Sequence, residues 1–168
     1  RLAEKSQDVL LKASVLNNLG TVFFRQADYF NALHYLQDSL ALRAEIDDPE
    51  EEAKLHNNIA QSYVALGDDV AAIPHLKQAA QLYDSLSRLK DALPLWQFAI
   101  GISVDNDEFN DDDIAEFQKK LEEILIFQEN AGNKSDQVLV LATLATLYDQ
   151  QKDYKNAASY LYRSILIG

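Results

Sequence analysis

Four times along this chain the same order of small and large apolar residues returns. A chain that repeats on this scale stacks copies of one small unit instead of wrapping a single irregular core. Leu16, Leu19, Gly20 and Phe23 recur 40 residues later as His56, Ile59, Ala60 and Tyr63, and after another 40 as Trp96, Ala99, Ile100 and Ser103. They return once more as Leu141, Leu144, Ala145 and Tyr148. A second set follows each first one: Ala32, Leu36 and Ser39, then Ala72, Leu76 and Ala79, then Phe117, Leu121 and Ile124, then Ala157, Leu161 and Ser164.

Within each copy the apolar residues lie three and four apart, which places them on one stripe of a helix. Gln26-Ala27-Asp28, Leu66-Gly67-Asp68-Asp69 and Gln151-Lys152-Asp153 interrupt the pattern between the two sets, and the aspartates there are suited to cap a second helix. Each unit is therefore a helix hairpin. Gly20, Ala60 and Ala145 on the first helix, and Ala32, Ala72 and Ala157 on the second, are small where two backbones approach. Pro49 followed by three glutamates predicts a helix start, because proline fits the first turn and carboxylates favour the positive end of the helix dipole. Pro74 and Pro94 follow Asp69 and Asp91 closely enough to sit near helix starts.

These residues resemble the tetratricopeptide repeat family, whose signature reads W-x2-L-G-x2-Y, then A-x3-F. Trp96 stands in the Trp slot, Leu19-Gly20 in the Leu-Gly slot, Tyr63 and Tyr148 in the Tyr slot, and Ala72 and Ala157 in the Ala slot. The resemblance runs from about Ala13 to Ser164. It implies an all-α, right-handed α-solenoid of about four helix-turn-helix repeats, near residues 13–52, 53–92, 93–137 and 138–168. The interval of 40 from Leu19 to Ile59 exceeds the family's usual 34. With Asn17-Asn18-Leu19-Gly20 and Asn57-Asn58-Ile59-Ala60, it looks like the longer-period subgroup typified by kinesin light chain and bacterial sensory proteins. The third repeat departs most: Ala99 to Leu144 is 45 residues and Phe117 fills a small slot, so a splayed hairpin is expected there.

A chain of 168 residues is ordinarily one domain. The lack of Met and the apolar run Ile165-Leu166-Ile167 beside Gly168 lead us to expect a fragment of a larger protein. The net charge of −12, with Lys and Arg scattered, argues against nucleic acid as partner. No apolar run reaches membrane-spanning length and the first residues lack a signal-peptide core, so no membrane insertion and a cytoplasmic location are expected, an extracytoplasmic sensory domain being the alternative. Cysteine is absent, which removes thiolate chemistry. The acidic stretch from Asp105 to Asp113 resembles a calcium loop only in part: Phe109 stands where an oxygen ligand is needed and Asn110 replaces the turn glycine, so a solvated acidic insertion is expected. His34, His56 and His75 have no metal-pair spacing, and His56 shares the interior slot of Leu16 and Trp96. Trp96 reads as core. With no phosphate loop and no nucleophile elbow, neither an enzyme nor a cofactor is expected.

The remaining surface is the flank of each first helix beside its packed stripe. Asn17, Thr21 and Arg25 lie there in the first copy, and Lys54, Asn57 and Gln61 in the second. By the resemblance these flanks line the inside of the superhelix, implying a concave groove for an extended peptide. An Asn amide offers a donor and an acceptor to a peptide main chain, and Arg25 and Lys54 would add charge complementarity to a carboxylate. Asn is a mediocre helix former, so a doubled Asn repeated at one place points to function. Asn18 and Asn58 point farther round the helix. In the C-terminal half the same places hold Gln97, Gly101, Ala142 and Thr146, a smoother and more apolar surface. The expected function is a non-catalytic protein- or peptide-binding module. Its alternatives are a sensory or autoregulatory domain of a signalling protein, and a scaffold that self-associates through the C-terminal end.

Overall fold

The computed structural model describes residues 2–43, 46, 48–106 and 111–167. The fold is all-α, with eight helices among the described residues: α1 (Leu2–Arg25), α2 (Tyr29–Arg43), α3 (Pro49–Ala65), α4 (Asp69–Ser85), α5 (Leu89–Asn106), α6 (Asp111–Ala131), α7 (Lys134–Gln150) and α8 (Tyr154–Ile167). They form two compact units, Arg1–Ala99 and Ile100–Gly168, whose boundary falls within α5.

The helix ends follow from the linkers. Asp28, Asp68 and Asp153 each accept a hydrogen bond from the backbone amide three residues on, at 3.3, 3.2 and 3.2 Å. Asp48 does the same for Glu51 at 3.3 Å, so that α3 opens on Pro49 and its three glutamates as expected. The preceding helix stops the same way each time. Ala27 N–H donates to the Phe24 carbonyl and Asp28 N–H to the Phe23 carbonyl, both at 3.0 Å, which turns the last carbonyls of α1 back on the linker. The same pair of bonds closes α3, α4, α6 and α7, with Gly67, Ser87, Gly132 and Lys152 at the left-handed position.

In the first unit α1 packs on α2, α3 on α4, and α2 on α3. Leu33 and Leu36 of α2 meet Leu55 and Ile59 of α3, with Leu40, Tyr63 and Leu66 around them. Gly20 lies against α2 so closely that a Cβ would stand 2.6 Å from Leu36 Cγ, which is why the first copy needs glycine at the small slot. The buried Arg43 guanidinium joins the hairpins: Nη1 donates to Asp48 Oδ2 at 3.0 Å and Nη2 to Ser14 Oγ at 3.3 Å. Trp96 is fully buried, as its slot predicts, and its Nε1 donates to Asp84 Oδ2 at 2.9 Å.

In the second unit α6 packs on α7 and α7 on α8. Phe117, Leu121 and Ile124 of α6 and Leu141, Leu144 and Leu147 of α7 are all buried. Tyr148 stacks on Tyr160 at 5.3 Å, and the Tyr160 hydroxyl donates to Glu122 Oε1 at 3.3 Å. The extra length of the third interval resides partly in α6, which has 21 residues against 17 in α4. Residues 107–110 of the acidic stretch lie outside the described residues.

Two expectations of packing are corrected here. Leu19 and Leu161 belong to the repeated apolar sets, yet they are 38% and 50% exposed. Periodicity identifies the apolar side of a helix, and whether another helix covers it is a tertiary matter.

Candidate functional site

Asn17, Thr21 and Arg25 succeed one another at intervals of four along α1, which aligns them on one face. The Thr21 hydroxyl donates to the Asn17 carbonyl at 3.0 Å and is thereby fixed against its own helix. Beside this face lies a pocket of ≈ 200 Å³ lined by Thr21, Phe24 and Arg25 of α1, Leu36 of α2, and Asn58 and Gln61 of α3. Three of the six residues expected from sequence, Thr21, Arg25 and Gln61, thus converge on one cavity from successive repeats. Asn17 lies one turn before Thr21, and its Oδ1 is buried with no hydrogen-bond partner.

Lys54 and Asn57 are not among the lining residues. Lys54 Nζ is held by Glu51 Oε1 at 2.6 Å and Glu50 Oε1 at 3.1 Å, and the hydrogen bond to Glu51 chiefly raises its pKa. Glu50 is shared in turn with Arg88 at 2.8 Å. Asn57 is half-buried, and its neighbour Asn58 takes the lining place instead. Of the doubled asparagine, Asn58 lines the pocket and Asn57 does not. Adjacent helical residues differ by about 100° in direction, and spacing alone does not say which of the two faces a neighbouring helix.

Chemically the pocket offers hydroxyl and amide hydrogen bonding from Thr21, Asn58 and Gln61, a guanidinium at Arg25, and apolar area at Phe24 and Leu36. Arg25 makes no ion pair among the described residues. Such a lining can donate and accept hydrogen bonds and cover apolar area.

A second constellation escaped the sequence because it is tertiary. His56 of α3 and His75 of α4 meet with Nδ1···Nδ1 at 2.9 Å, and His75 stacks on Tyr63 at a centroid distance of 5.7 Å. One ring donates and the other accepts. Burial, then the adjacent His75, lowers the His56 pKa to about 4, and burial lowers that of His75. Glu52 Oε1 stands 3.8 Å from His56 Nε2.

In the second unit, Thr146 lines a hollow of ≈ 240 Å³ with Ala145, Asp149, Ala157 and Leu161. Ala142 is half-buried on the same helix, while Gln97 and Gly101 are half-buried on α5. Among the described residues no helix is long and apolar enough to cross a membrane.

Models of the tetratricopeptide repeat match residues 11–85 and 139–167, together more than half of the chain. No curated protein matches it in sequence. Among solved structures, BtubC (BKLC) from P. vanneervenii aligns with a TM-score of 0.60 at 17% identity, over 92% of this chain and 62% of its own. The apo form of RapI aligns with a TM-score of 0.64 at 14% identity, over 94% of this chain and 43% of its own. The chain therefore spans less than two thirds of either relative, and at these identities the likeness is one of fold. Repeated slots, hairpin geometry and matching family models agree, and the chain belongs to the tetratricopeptide repeat family.

Proposed function

We propose that this chain is a non-catalytic protein-binding module that holds an extended partner segment against α1 and α3, in the pocket closed by α2. The observation that carries this reading is the convergence of Thr21, Arg25 and Gln61, with Asn58, on one cavity between two successive repeats. The unpartnered Asn17 Oδ1 one turn away adds an acceptor suited to a main-chain N–H, since a buried polar atom without a partner gains most from one supplied by a ligand. Asn58 and Gln61 would bond the peptide backbone regardless of its sequence. Arg25 would favour an acidic side chain or a terminal carboxylate.

The test uses peptides selected by the parent chain from a randomised library, with affinity read by fluorescence anisotropy. Replacing Asn58 and Gln61 together by Ala is expected to weaken binding by about 1–3 kcal/mol, or about 5- to 150-fold, with the helical signal unchanged. Gln78→Ala, on the exposed side of α4, serves as the control and is expected to bind as the parent does. Peptides that bind the double variant as tightly as the parent would place recognition elsewhere on the molecule.

A further inference from the structure

His56 and His75 lie outside the pocket, yet His56 shares α3 with one of its walls. Successive residues of a helix turn by about 100°, so Asn58 and Gln61 stand about 200° and 140° round α3 from His56, on its opposite side. Tyr63 returns to within about 20° of His56, and it stacks on His75. One side of α3 thus meets α4 through the histidine pair. The other side presents Asn58 and Gln61 to the cavity of ≈ 200 Å³ that Thr21, Arg25 and Leu36 also line.

The pair takes up protons in two unequal steps. When both rings are neutral, one Nδ1–H fills the 2.9 Å gap between them and the other Nδ1 accepts it. A first added proton goes to the free Nε2 of the donating ring and leaves that bond standing. Glu52 Oε1, 3.8 Å from His56 Nε2, stands where it steadies a charge on His56. A second proton takes the acceptor away. Two N–H groups and two positive charges then face each other across 2.9 Å in a half-buried place, where water screens them poorly. Tyr63, on which His75 stacks, and Gln37 of α2, which donates to the Tyr63 hydroxyl at 3.3 Å, bring no negative charge to offset them. Burial, then His75, holds the His56 pKa down to about 4, which places the second step near that pH.

We infer that acid shuts the pocket: with both rings charged, α3 is driven off α4 toward α1, and Asn58 and Gln61 move into the cavity they line. The inference rests on the reading of that cavity as the partner site. A partner binds the arrangement of the neutral pair, so affinity is full above about pH 6.5 and is lost as pH falls toward the His56 pKa of about 4. By the same linkage, a bound partner makes the pair harder to protonate.

Two measurements test this. In the free chain, NMR follows the ring resonances of His56 and His75 and the side-chain amides of Asn58 and Gln61 from neutral pH to about pH 4. The amides are expected to move with the midpoint of the second ring titration. In His75→Gln only one charge forms, and the glutamine oxygen can accept from a charged His56, so the amide shift is expected to disappear. His56→Gln is the mirror variant and serves the same purpose should His75→Gln fail to fold. With a library-selected peptide, the parent is expected to lose about tenfold or more in affinity over this range, while His75→Gln binds as the parent does at neutral pH and stays within about threefold of that value. The carboxylates of the peptide titrate against every chain alike, so the difference between chains reports the pair. Amides that stay in place while both rings titrate, an equal loss of affinity in the parent and both glutamine variants, or an equal loss of helical signal in all three would each overturn the inference. Peptide binding indifferent to Asn58→Ala with Gln61→Ala, in a chain whose amides still follow the histidines, would overturn the partner reading and support the coupling through α3.

Discussion

Ala27, Ser87 and Lys152 hold left-handed backbone at φ 59°, 58° and 61°, where Gly67 and Gly132 do the same work at 78° and 69°. An L side chain at that position costs roughly 1–2 kcal/mol, offset in part by the smaller freedom it has in the unfolded chain. Ala27→Gly is therefore expected to stabilise the first unit by about 0.5–1 kcal/mol, and Gly67→Ala to destabilise it by about 1 kcal/mol. A Cβ at Gly67 meets no atom within 4 Å, so the loss there is purely one of backbone. Urea unfolding midpoints of the two variants check both signs. The His56–His75 contact makes a second residue-level prediction. With folded pKa values below the ordinary 6.5, and that of His56 at about 4, the unfolded chain takes up protons that the folded one refuses. Their contribution to stability is complete above pH 6.5, falls as pH drops through the interval, and is lost for His56 below about 4. Replacing both histidines by Asn is expected to flatten the stability profile between neutral pH and about pH 5, above most carboxylate titration. An equally steep profile in the double variant would contradict the assignment.

At the scale of elements, stability rests on how each helix is covered. Leu36 touches the α1–α2 approach at Gly20 and the α2–α3 junction together, so Leu36→Ala is expected to lose about 2–5 kcal/mol through the cavity it leaves. Gly20→Ala is expected to lose about 1–3 kcal/mol despite better helix propensity, because its Cβ would press on Leu36. Both are read from thermal or urea unfolding. The existence of the helices was legible because their apolar residues recur at helical spacing, and their ends because Asp28, Asp68 and Asp153 occupy the linkers. The exposure of Leu19 and Leu161 was not, since a stripe does not announce whether another helix covers it. Nor was Asn58 separable from Asn57, since the two differ by one step around a helix whose rotation is set by packing. His56 and His75 lie 19 residues apart on different helices, a separation that no periodic pattern flags.

Across the whole molecule, composition narrowed the partner more than the site. A net charge of −12 with scattered cations disfavours phosphate backbones, and the absence of cysteine removes one class of catalysis, but neither selects a partner. The residues that bear on a partner more closely are the few that converge from α1 and α3 on the pocket over Leu36, which we propose receive an extended peptide. The most direct measurement follows the side-chain amide resonances of Asn17, Asn58 and Gln61 by NMR as a library-selected peptide is titrated in. All three are expected to shift together and saturate at one equivalent of peptide, with Arg25 guanidinium resonances following them. Saturable binding that leaves these resonances in place while those of α6 or α8 move would contradict it.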